Sequence, residues 1–255
     1  WTPPRVTVSS TAHQNPCHFY LMAASSNPFL NPSGFYVPPT LSRNLAALPG
    51  GHRAEPAAIW VDTRAAVLGL EHALQNSAQQ SKPPMVVVVL YNLPNRDCAA
   101  KASAGEITCG SDTSCEAGIA QYHEEFILPC ATLFSQYGSV PVAVILEPDS
   151  LPNVVTNLDE PGCGSNATQA AYRVGLSRAV ATIKRLAPRV AVYLDAGHGR
   201  WMGWDANAQG LIQHVCDTGL YRHVRGFATN VTAVILNTAL CPAPLPPLHR
   251  ASHPP

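Results

Sequence analysis

Two runs of β-branched residues, each followed within a few positions by an aspartate, constrain the fold of this chain most strongly. Residues 86–90 read Val-Val-Val-Val-Leu and residues 142–146 read Val-Ala-Val-Ile-Leu, and Asp97 and Asp149 follow them. Continuous apolar runs of this length are typical of buried parallel strands, whose carboxyl ends form the ligand-binding edge of α/β folds. The pattern therefore predicts two carboxylates facing one cleft, an arrangement that favours acid-assisted hydrolysis.

The same alternation of strand and helix patterns extends along most of the chain. Strands are predicted at 57–62, 85–91, 141–147, 189–195 and 224–229, and helices at about 63–81, 116–136, 167–186 and 206–217. Such alternation is typical of right-handed βαβ units around a parallel sheet. With 46% hydrophobic residues among 255, the chain can bury one large core, so a single α/β domain is predicted.

The composition changes at both ends of the chain. Residues 1–50 are rich in Pro, Ser and Asn and predict an arm that packs on the main domain, which we place at 51–232. Residues 233–255 form a proline-rich tail that does not fit a further βα unit. We therefore expect the succession of βα units to end at about residue 232.

Charge and cysteine content narrow the classes of function. The 16 Lys and Arg balance the 16 Asp and Glu, so no positive surplus favours a nucleic acid or an anionic membrane. No stretch is long and apolar enough to span a bilayer. Eight cysteines without a Cys-x2-Cys pair predict disulfides in an oxidising compartment. We expect a secreted monomer that acts on a neutral substrate without a cofactor or a metal.

Each predicted strand ends in polar or aromatic side chains. In chain order these are Trp60 and Asp62, Tyr91 and Asp97, Asp149, Asp195 and His198, and Asn230. Two further tryptophans, Trp201 and Trp204, follow the fourth strand. Indole rings stack on the apolar faces of sugar rings, whose hydroxyls need carboxylate, amide and imidazole partners. The strand ends therefore predict a carbohydrate-binding cleft.

Two motifs at these loops suggest other chemistry, and the sequence argues against both. Residues 197–203 contain three glycines after a strand, but the third is one position late for a dinucleotide-binding loop. Residues 102–105 resemble part of a nucleophile elbow, but Lys101 stands where its first glycine belongs. Neither motif is taken as functional.

Structural roles and a metal site are alternatives for the aspartates. Asp97 is equally suited to pair with Arg96 or to cap the following turn, and Asp149 to cap a helix that begins at Ser150. A metal-dependent hydrolase using Asp97, Asp149 and Asp195 is a third functional hypothesis, which sensitivity to chelators would reveal.

Five blocks of the sequence resemble glycoside hydrolase family 6. Residues 89–100, VLYNLPNRDCAA, and 144–152, VILEPDSLP, are similar to the two signature segments of that family. Residues 59–62, 193–204 and 226–231 resemble further family blocks in the family's order. The resemblance implies a secreted β-1,4-glucanase, either a cellobiohydrolase or an endoglucanase. It also implies a distorted, TIM-like parallel β/α barrel and hydrolysis of cellulose with inversion at the anomeric carbon.

The resemblance further implies a role for each motif residue. Asp149 corresponds to the general acid, and Asp97 to a second carboxylate that raises the pKa of the acid and orients the water chain. Tyr91 corresponds to the residue that distorts the sugar ring. The other implied roles are Ser103 holding the hydrolytic water, Arg96 supporting Asp97, Trp60, Trp201 and Trp204 stacking on glucose units, and Asp62, Asp195, His198 and Asn230 binding substrate. Inversion suits carboxylates about 6.5–9.5 Å apart, which leaves room for water.

The resemblance also organises some of the cysteines. Cys98 and Cys163 occupy positions that pair in fungal members of the family, so a disulfide between them is implied. Cys109 and Cys115 lie in an insertion and are expected to close a small loop. The sequence leaves open the pairing of Cys17, Cys130, Cys216 and Cys241.

Family blocks that carry the last barrel strands and a further site aspartate have no match after Thr232. Set beside the family, the chain is therefore expected to be incomplete on its C-terminal side, through truncation or divergence after about residue 232. Two outcomes follow from this difference. Either the chain is an active glucanase, or a piece of one, as its motif residues indicate, or it is a catalytically impaired relative that at most binds β-glucan chains.

Overall fold

The computed structural model of the protein describes residues 28–29, 32–229 and 231, and it contains a five-stranded parallel sheet. The strands lie in chain order across the sheet: β1 (Ile59–Val61), β2 (Val86–Leu90), β3 (Val142–Leu146), β4 (Ala191–Asp195) and β5 (Gly226–Ala228). All five fall within the segments that the sequence predicts. The proline-rich tail and most of the predicted arm lie outside the described residues.

The continuous apolar runs of the sequence fill a buried row across this sheet. Val88 pairs with Val144, and Val144 pairs with Val192. Directly paired residues point to the same side of a sheet, and all three of these side chains are fully buried. Burying a valine stabilises the fold by about 1.5–3 kcal/mol, and β-branched side chains pack well on a pleated sheet, so this row accounts for the valines at these positions.

Helices follow the strands as the sequence pattern predicts. They are α1 (Pro39–Ala46), α2 (Val67–Ala78), α3 (Glu116–Tyr122), a π-helical turn (His123–Ile127), α4 (Leu128–Gln136), α5 (Ser150–Thr156), α6 (Pro161–Gly164), α7 (Asn166–Leu186), α8 (Gly199–Met202), α9 (Asp205–Asp217) and a 3₁₀ turn (Leu220–Arg222). Four short helices, α1, α5, α6 and α8, are additional to the prediction. No helix in the described part of the chain combines the length and apolar character needed to cross a membrane.

The helices cover one face of the sheet. Leu74 of α2 and Leu176 of α7 are fully buried in the same hydrophobic cluster as Val144. The next residues along the strands, Ile145 and its pair Tyr193, point to the opposite face and are only partly buried. Parallel strands in chain order with helices on one face form the wall of a β/α barrel. The α/β fold prediction is therefore confirmed, and the described strands form an arc of such a wall.

Both disulfides that we expected are present. Cys98 is bonded to Cys163, and Cys109 to Cys115 across a six-residue separation. The first bond joins the loop after β2 to α6, which follows β3. Cys216 is also disulfide-bonded, whereas Cys130 is a free thiol in the core, where burial raises its pKa to about 12.

Candidate active site

Three carboxylates at the ends of β2 and β3 have left-handed backbone conformations. The φ angles are 55° at Asp97, 51° at Glu147 and 62° at Asp149. Such conformations are uncommon for residues other than glycine and cost about 1–3 kcal/mol each, so they persist only where surrounding contacts enforce them. Backbone strain of this kind is typical of functional sites.

Asp149 is the last residue of the loop between β3 and α5, and its backbone is held by Asp195 at the end of β4. The backbone N–H of Asp149 donates to Oδ1 of Asp195 at 2.9 Å, and the N–H of Gly197 donates to the same oxygen at 3.0 Å. Asp149 occupies the N-cap position of α5, but its side chain makes no capping hydrogen bond. Helix capping therefore does not account for this carboxylate.

Asp195 is a buried acid, with only 2% of its surface exposed. Its Oδ2 has no hydrogen-bond partner among the described residues. Burial raises its pKa to about 6, and the charge of Asp149 also raises it, against the two N–H donors and His198, which lower it. The structure thus places Asp195 directly under the backbone of Asp149.

Glu147 lies two residues before Asp149 and is fully buried. Its carboxyl accepts hydrogen bonds from the N–H groups of Asn92 and Leu93, at 3.0–3.1 Å, and from the hydroxyl of Tyr122 at 2.8 Å. Burial raises its pKa to about 7, although these donors favour the charged form. Glu147 therefore ties the end of β2 to the end of β3.

Tyr91 directly follows β2 and packs against Trp60 and Arg96. Its ring contacts the ring of Trp60 edge-on, with centroids 6.0 Å apart. The guanidinium of Arg96 lies over the Tyr91 ring, 4.5 Å from its centroid. Burial raises the pKa of Tyr91, and the charges of Asp97 and Asp149 raise it further. The charges of both carboxylates therefore act on this one tyrosine.

Arg96 holds the loops after β1 and β2 together through three carbonyl groups. It donates to the carbonyl oxygens of Asp62 at 2.6 Å, Ser103 at 2.7 Å and Tyr91. We expected Arg96 to support Asp97, and no ion pair joins the two within the described residues. The connection is indirect, because Arg96 binds the carbonyl of Ser103 while the N–H of Ser103 donates to Asp97.

The loop that carries Asp97 turns back on itself. The N–H of Ser103 donates to Oδ2 of Asp97 at 2.7 Å, and the N–H of Lys101 donates to the carbonyl of Asp97 at 2.8 Å. Ser103 is exposed, and a cavity of about 240 Å³ borders the loop, lined in part by Asp97 and Lys101. The structure therefore brings Asp97 and Ser103 together at an open surface.

The three candidate tryptophans differ in their exposure to solvent. Trp60 and Trp204 are 41% and 68% exposed, whereas Trp201 is partly buried and donates from Nε1 to the hydroxyl of Thr156 at 2.7 Å. His198 contacts the ring of Trp201, with centroids 5.9 Å apart. Asn230, the last predicted substrate-binding residue, lies outside the described residues.

The metal hypothesis requires Asp97, Asp149 and Asp195 to converge on one point. Among the residues that the structure describes, no group of three or more His, Cys, Asp or Glu side chains is arranged to hold a metal ion. The carboxyl of Asp195 instead accepts from backbone N–H groups.

Sequence reasoning gave no role to three residues that organise this site: Asn92, Glu106 and Glu147. Asn92 donates from its side chain to Glu106 at 3.0 Å and from its backbone to Glu147. One signal was available for Glu147, because a charged residue directly after a buried strand needs buried partners. No local pattern marks the other two.

The fold and the site together define a class: a parallel β/α barrel wall with paired carboxylates at the carboxyl ends of its strands. Residues 43–239 match the sequence model of the family described as Glycosyl hydrolases family 6. Since this match covers more than half of the chain, the protein belongs to glycosyl hydrolase family 6.

Known relatives agree with this membership. A protein of Podospora anserina named 1,4-beta-D-glucan cellobiohydrolase CEL6C is 42% identical over 177 residues, which are 68% of this chain and 41% of the relative. Exoglucanase A of Cellulomonas fimi is 35% identical over 230 residues, which are 80% of this chain and 25% of that protein. The chain thus spans less than half the length of these relatives.

Solved structures resemble the described fold. The catalytic domain of Cellulomonas fimi Cel6B superposes with a TM-score of 0.70 at 33% identity, covering 81% of this chain and 51% of that one. Cellobiohydrolase II (Cel6A) of Humicola insolens, solved in complex with glucose and cellotetraose, gives a TM-score of 0.66 at 29% identity, covering 80% of this chain and 60% of that one.

Proposed function

We propose that this protein hydrolyses β-1,4-glucosidic bonds of cellulose or related β-glucans with inversion at the anomeric carbon. The observation that carries the proposal is that Asp97 and Asp149 follow two adjacent strands, both in left-handed conformations, and that the charges of both act on Tyr91. Two carboxyl groups on either side of a bound sugar are the machinery of most glycoside hydrolases.

Asp149 is the general acid in this proposal. Its proton passes to the glycosidic oxygen as the bond between that oxygen and C1 breaks, so the leaving sugar departs as a neutral alcohol. The hydrogen bond from its backbone N–H to the buried Asp195 fixes the position of the backbone that carries the carboxyl group. Such positioning matters because catalysis depends on reacting groups being held in place before the reaction.

Asp97 and Ser103 form the water side of the proposed reaction. A water molecule attacks C1 from the face opposite the leaving oxygen, forms the new C1–O bond, and passes its proton towards the carboxylate of Asp97. The Ser103 N–H group already donates to that carboxylate, so the serine and the aspartate are positioned as one unit. Tyr91, packed between Trp60 and Arg96, is a rigid surface against the sugar ring.

Substrate binding and location complete the proposal. The exposed rings of Trp60 and Trp204 are suitable platforms for glucose units. Disulfides persist in oxidising compartments, so the bonded cysteines support an extracellular location, where insoluble cellulose is found.

The test is release of soluble sugars from cellotetraose and from a soluble β-glucan by the purified 255-residue chain. Asp149→Asn keeps the size of the side chain and removes its acidic proton, so we expect a loss of turnover of about a thousandfold or more. Asp159→Asn makes the same change at an exposed residue in the loop after α5 and should retain wild-type turnover.

Two results would count against the proposal. Turnover by Asp149→Asn at the wild-type rate would remove this residue as the acid. No turnover by wild-type protein that circular dichroism shows to be folded would favour the second reading, a relative that binds β-glucan without cleaving it, which affinity electrophoresis in β-glucan gels would then detect.

A further inference from the structure

Glu106 closes the loop that carries Asp97 and Ser103, and it contacts the ends of two strands at once. Its Oε1 accepts from the backbone N–H of Arg64 at 2.7 Å, from the side chain of Arg64 at 3.2 Å and from the side-chain amide of Asn92 at 3.0 Å. Arg64 follows β1 and Asn92 follows β2. We call Glu106, Arg64 and Asn92 the rim clamp.

The rim clamp is the anionic counterpart of Arg96. The guanidinium of Arg96 donates to two carbonyl groups at the same two strand ends, those of Asp62 and Tyr91, and to the carbonyl of Ser103 in the loop. Glu106, three residues after Ser103, accepts hydrogen bonds from N–H groups of Arg64 and Asn92. A Cβ atom on the intervening Gly105 would lie 3.0 Å from Nε of Arg96, so the loop is packed tightly between the two charged groups.

Asn92 connects the clamp to the interior. Its backbone N–H donates to the buried Glu147, and its side-chain amide donates to Glu106. Partial burial opposes ionisation of Glu106, but the hydrogen bonds from Arg64 and Asn92 outweigh it and hold its pKa below the ordinary value. Glu106 therefore stays a carboxylate, the form in which it accepts all three hydrogen bonds.

We propose that Glu106 is a positioning residue: by clamping residues 97–106 across the ends of β1 and β2, it fixes the pair formed by the Asp97 carboxylate and the Ser103 N–H. This inference rests on the proposed function for its effect on turnover. It does not rest on that function for its effect on the loop, which is a property of the folded protein alone.

Glu125 provides a matched comparison for Glu106. Both carboxylates pair with the side chain of Arg64, and both are at the surface. Glu125 lies in the π-helical turn, and the side-chain hydrogen bonds described for it go to Arg64 and Gln121, whereas Glu106 also binds Asn92 and the backbone of Arg64. A loss common to both variants reports the ion pair, whereas a loss confined to Glu106 reports the clamp.

The experiment compares Glu106→Ala, Glu106→Gln, Glu125→Ala and Glu125→Gln with wild type. We expect Glu106→Ala to lower kcat about 10- to 100-fold with little change in KM, because displaced catalytic groups slow the reaction more than they weaken binding. Glu106→Gln keeps the accepting oxygen and should recover most of that loss. The two Glu125 variants should stay within about twofold of wild type.

Amide hydrogen exchange of residues 97–106 provides a readout independent of turnover. In Glu106→Ala the Ser103 amide should exchange at least tenfold faster, whereas in the Glu125 variants it should match wild type. If exchange of this loop is unchanged in Glu106→Ala, the proposal is wrong, whether or not the chain turns over substrate. If exchange rises but kcat does not fall in an active enzyme, the clamp holds the loop without positioning the reaction, which also overturns it.

Discussion

The two loops that carry the candidate catalytic carboxylates are held in opposite ways. The backbone of Asp149, after β3, donates to the buried side chain of Asp195, and the buried Glu147, two residues earlier, ties this loop to the end of β2. Asp97, after β2, lies on a loop whose tip is exposed and which is held by the buried Arg96 and by Glu106 at the surface. The loop of Asp149 is therefore held by buried carboxyl groups alone, and the loop of Asp97 in part by a carboxylate at the surface.

This difference matters because losing a buried hydrogen-bond partner and losing a surface ion pair have different costs in stability. Removing one partner of a buried hydrogen-bonded group costs about 1–3 kcal/mol for each orphaned donor. A surface ion pair contributes about 0–1 kcal/mol. Substitutions of the buried Glu147 and Asp195 should therefore lower stability, whereas substitutions of Glu106 should change kinetics before stability.

The largest expected effect is on stability, at Glu147. Glu147→Leu leaves the N–H groups of Asn92 and Leu93 and the hydroxyl of Tyr122 without their acceptor, which should lower the free energy of unfolding by roughly 3–6 kcal/mol. Urea denaturation followed by circular dichroism measures this, with Glu55→Leu at an exposed position expected to stay within about 0.5 kcal/mol of wild type. Equal stability of the two variants would contradict the comparison.

The second prediction concerns pH and the same residue. The pKa of Glu147 is raised from 4.5 to about 7, so folding favours its protonated form. The stabilisation of the folded protein by protonated Glu147 is fully present below about pH 4.5 and is lost as pH rises through 7. Because Glu147→Gln has no such titration, the stability of wild type relative to this variant should fall by up to about 3 kcal/mol between pH 4.5 and pH 8. A difference that stays constant or rises over that range would be evidence of a Glu147 that is ionised throughout.

The third prediction separates positioning from substrate binding at Asp195. Asp195→Ala removes the acceptor for the N–H of Asp149 and should lower kcat about 100-fold, whereas Asp195→Asn keeps an accepting oxygen and should lose much less. Steady-state kinetics on cellotetraose decide the matter. An increase in KM without a loss of kcat would instead favour the role implied by family resemblance, in which Asp195 binds a sugar hydroxyl.

The smallest expected effect is at the junction between the two loops, where α6 meets Cys98. A Cβ atom added at Gly162 would lie 2.3 Å from the carbonyl oxygen of Cys98, so Gly162→Ala should lower stability by about 1–3 kcal/mol. Gly199 has no neighbouring atom within 4 Å of such a Cβ, and Gly199→Ala is the matched control. If the two variants have the same Tm, the packing of the loops at Cys98 is looser than described.

Much of the fold could be predicted from the sequence because its signals are local. The runs that became β2 and β3 are β-branched and continuous, and their predicted ends differ from the observed ones by one residue. The short helices α5 and α8 were not predicted, since each is a few residues long and has no periodic apolar pattern. The disulfide between Cys98 and Cys163 came from family resemblance, and it is confirmed.

The site could be predicted only in part because its supporting contacts span long separations. Asp97 and Asp149 are marked by their positions after apolar runs. Glu147 directly follows the apolar run of β3, and its partner Asn92 is 55 residues away. Glu106 reaches Arg64 across 42 residues. Such pairs become visible only when the strands are aligned in space.

The measurement that tests the central claim most directly is the anomeric form of the first product. Proton NMR during hydrolysis of cellotetraose distinguishes the α anomer at the new reducing end from the β anomer before mutarotation mixes them. Our account, with Asp149 as acid and water on the Asp97 side, predicts that the α anomer appears first. Initial release of the β anomer would mean retention through a nucleophilic carboxylate, and would contradict it.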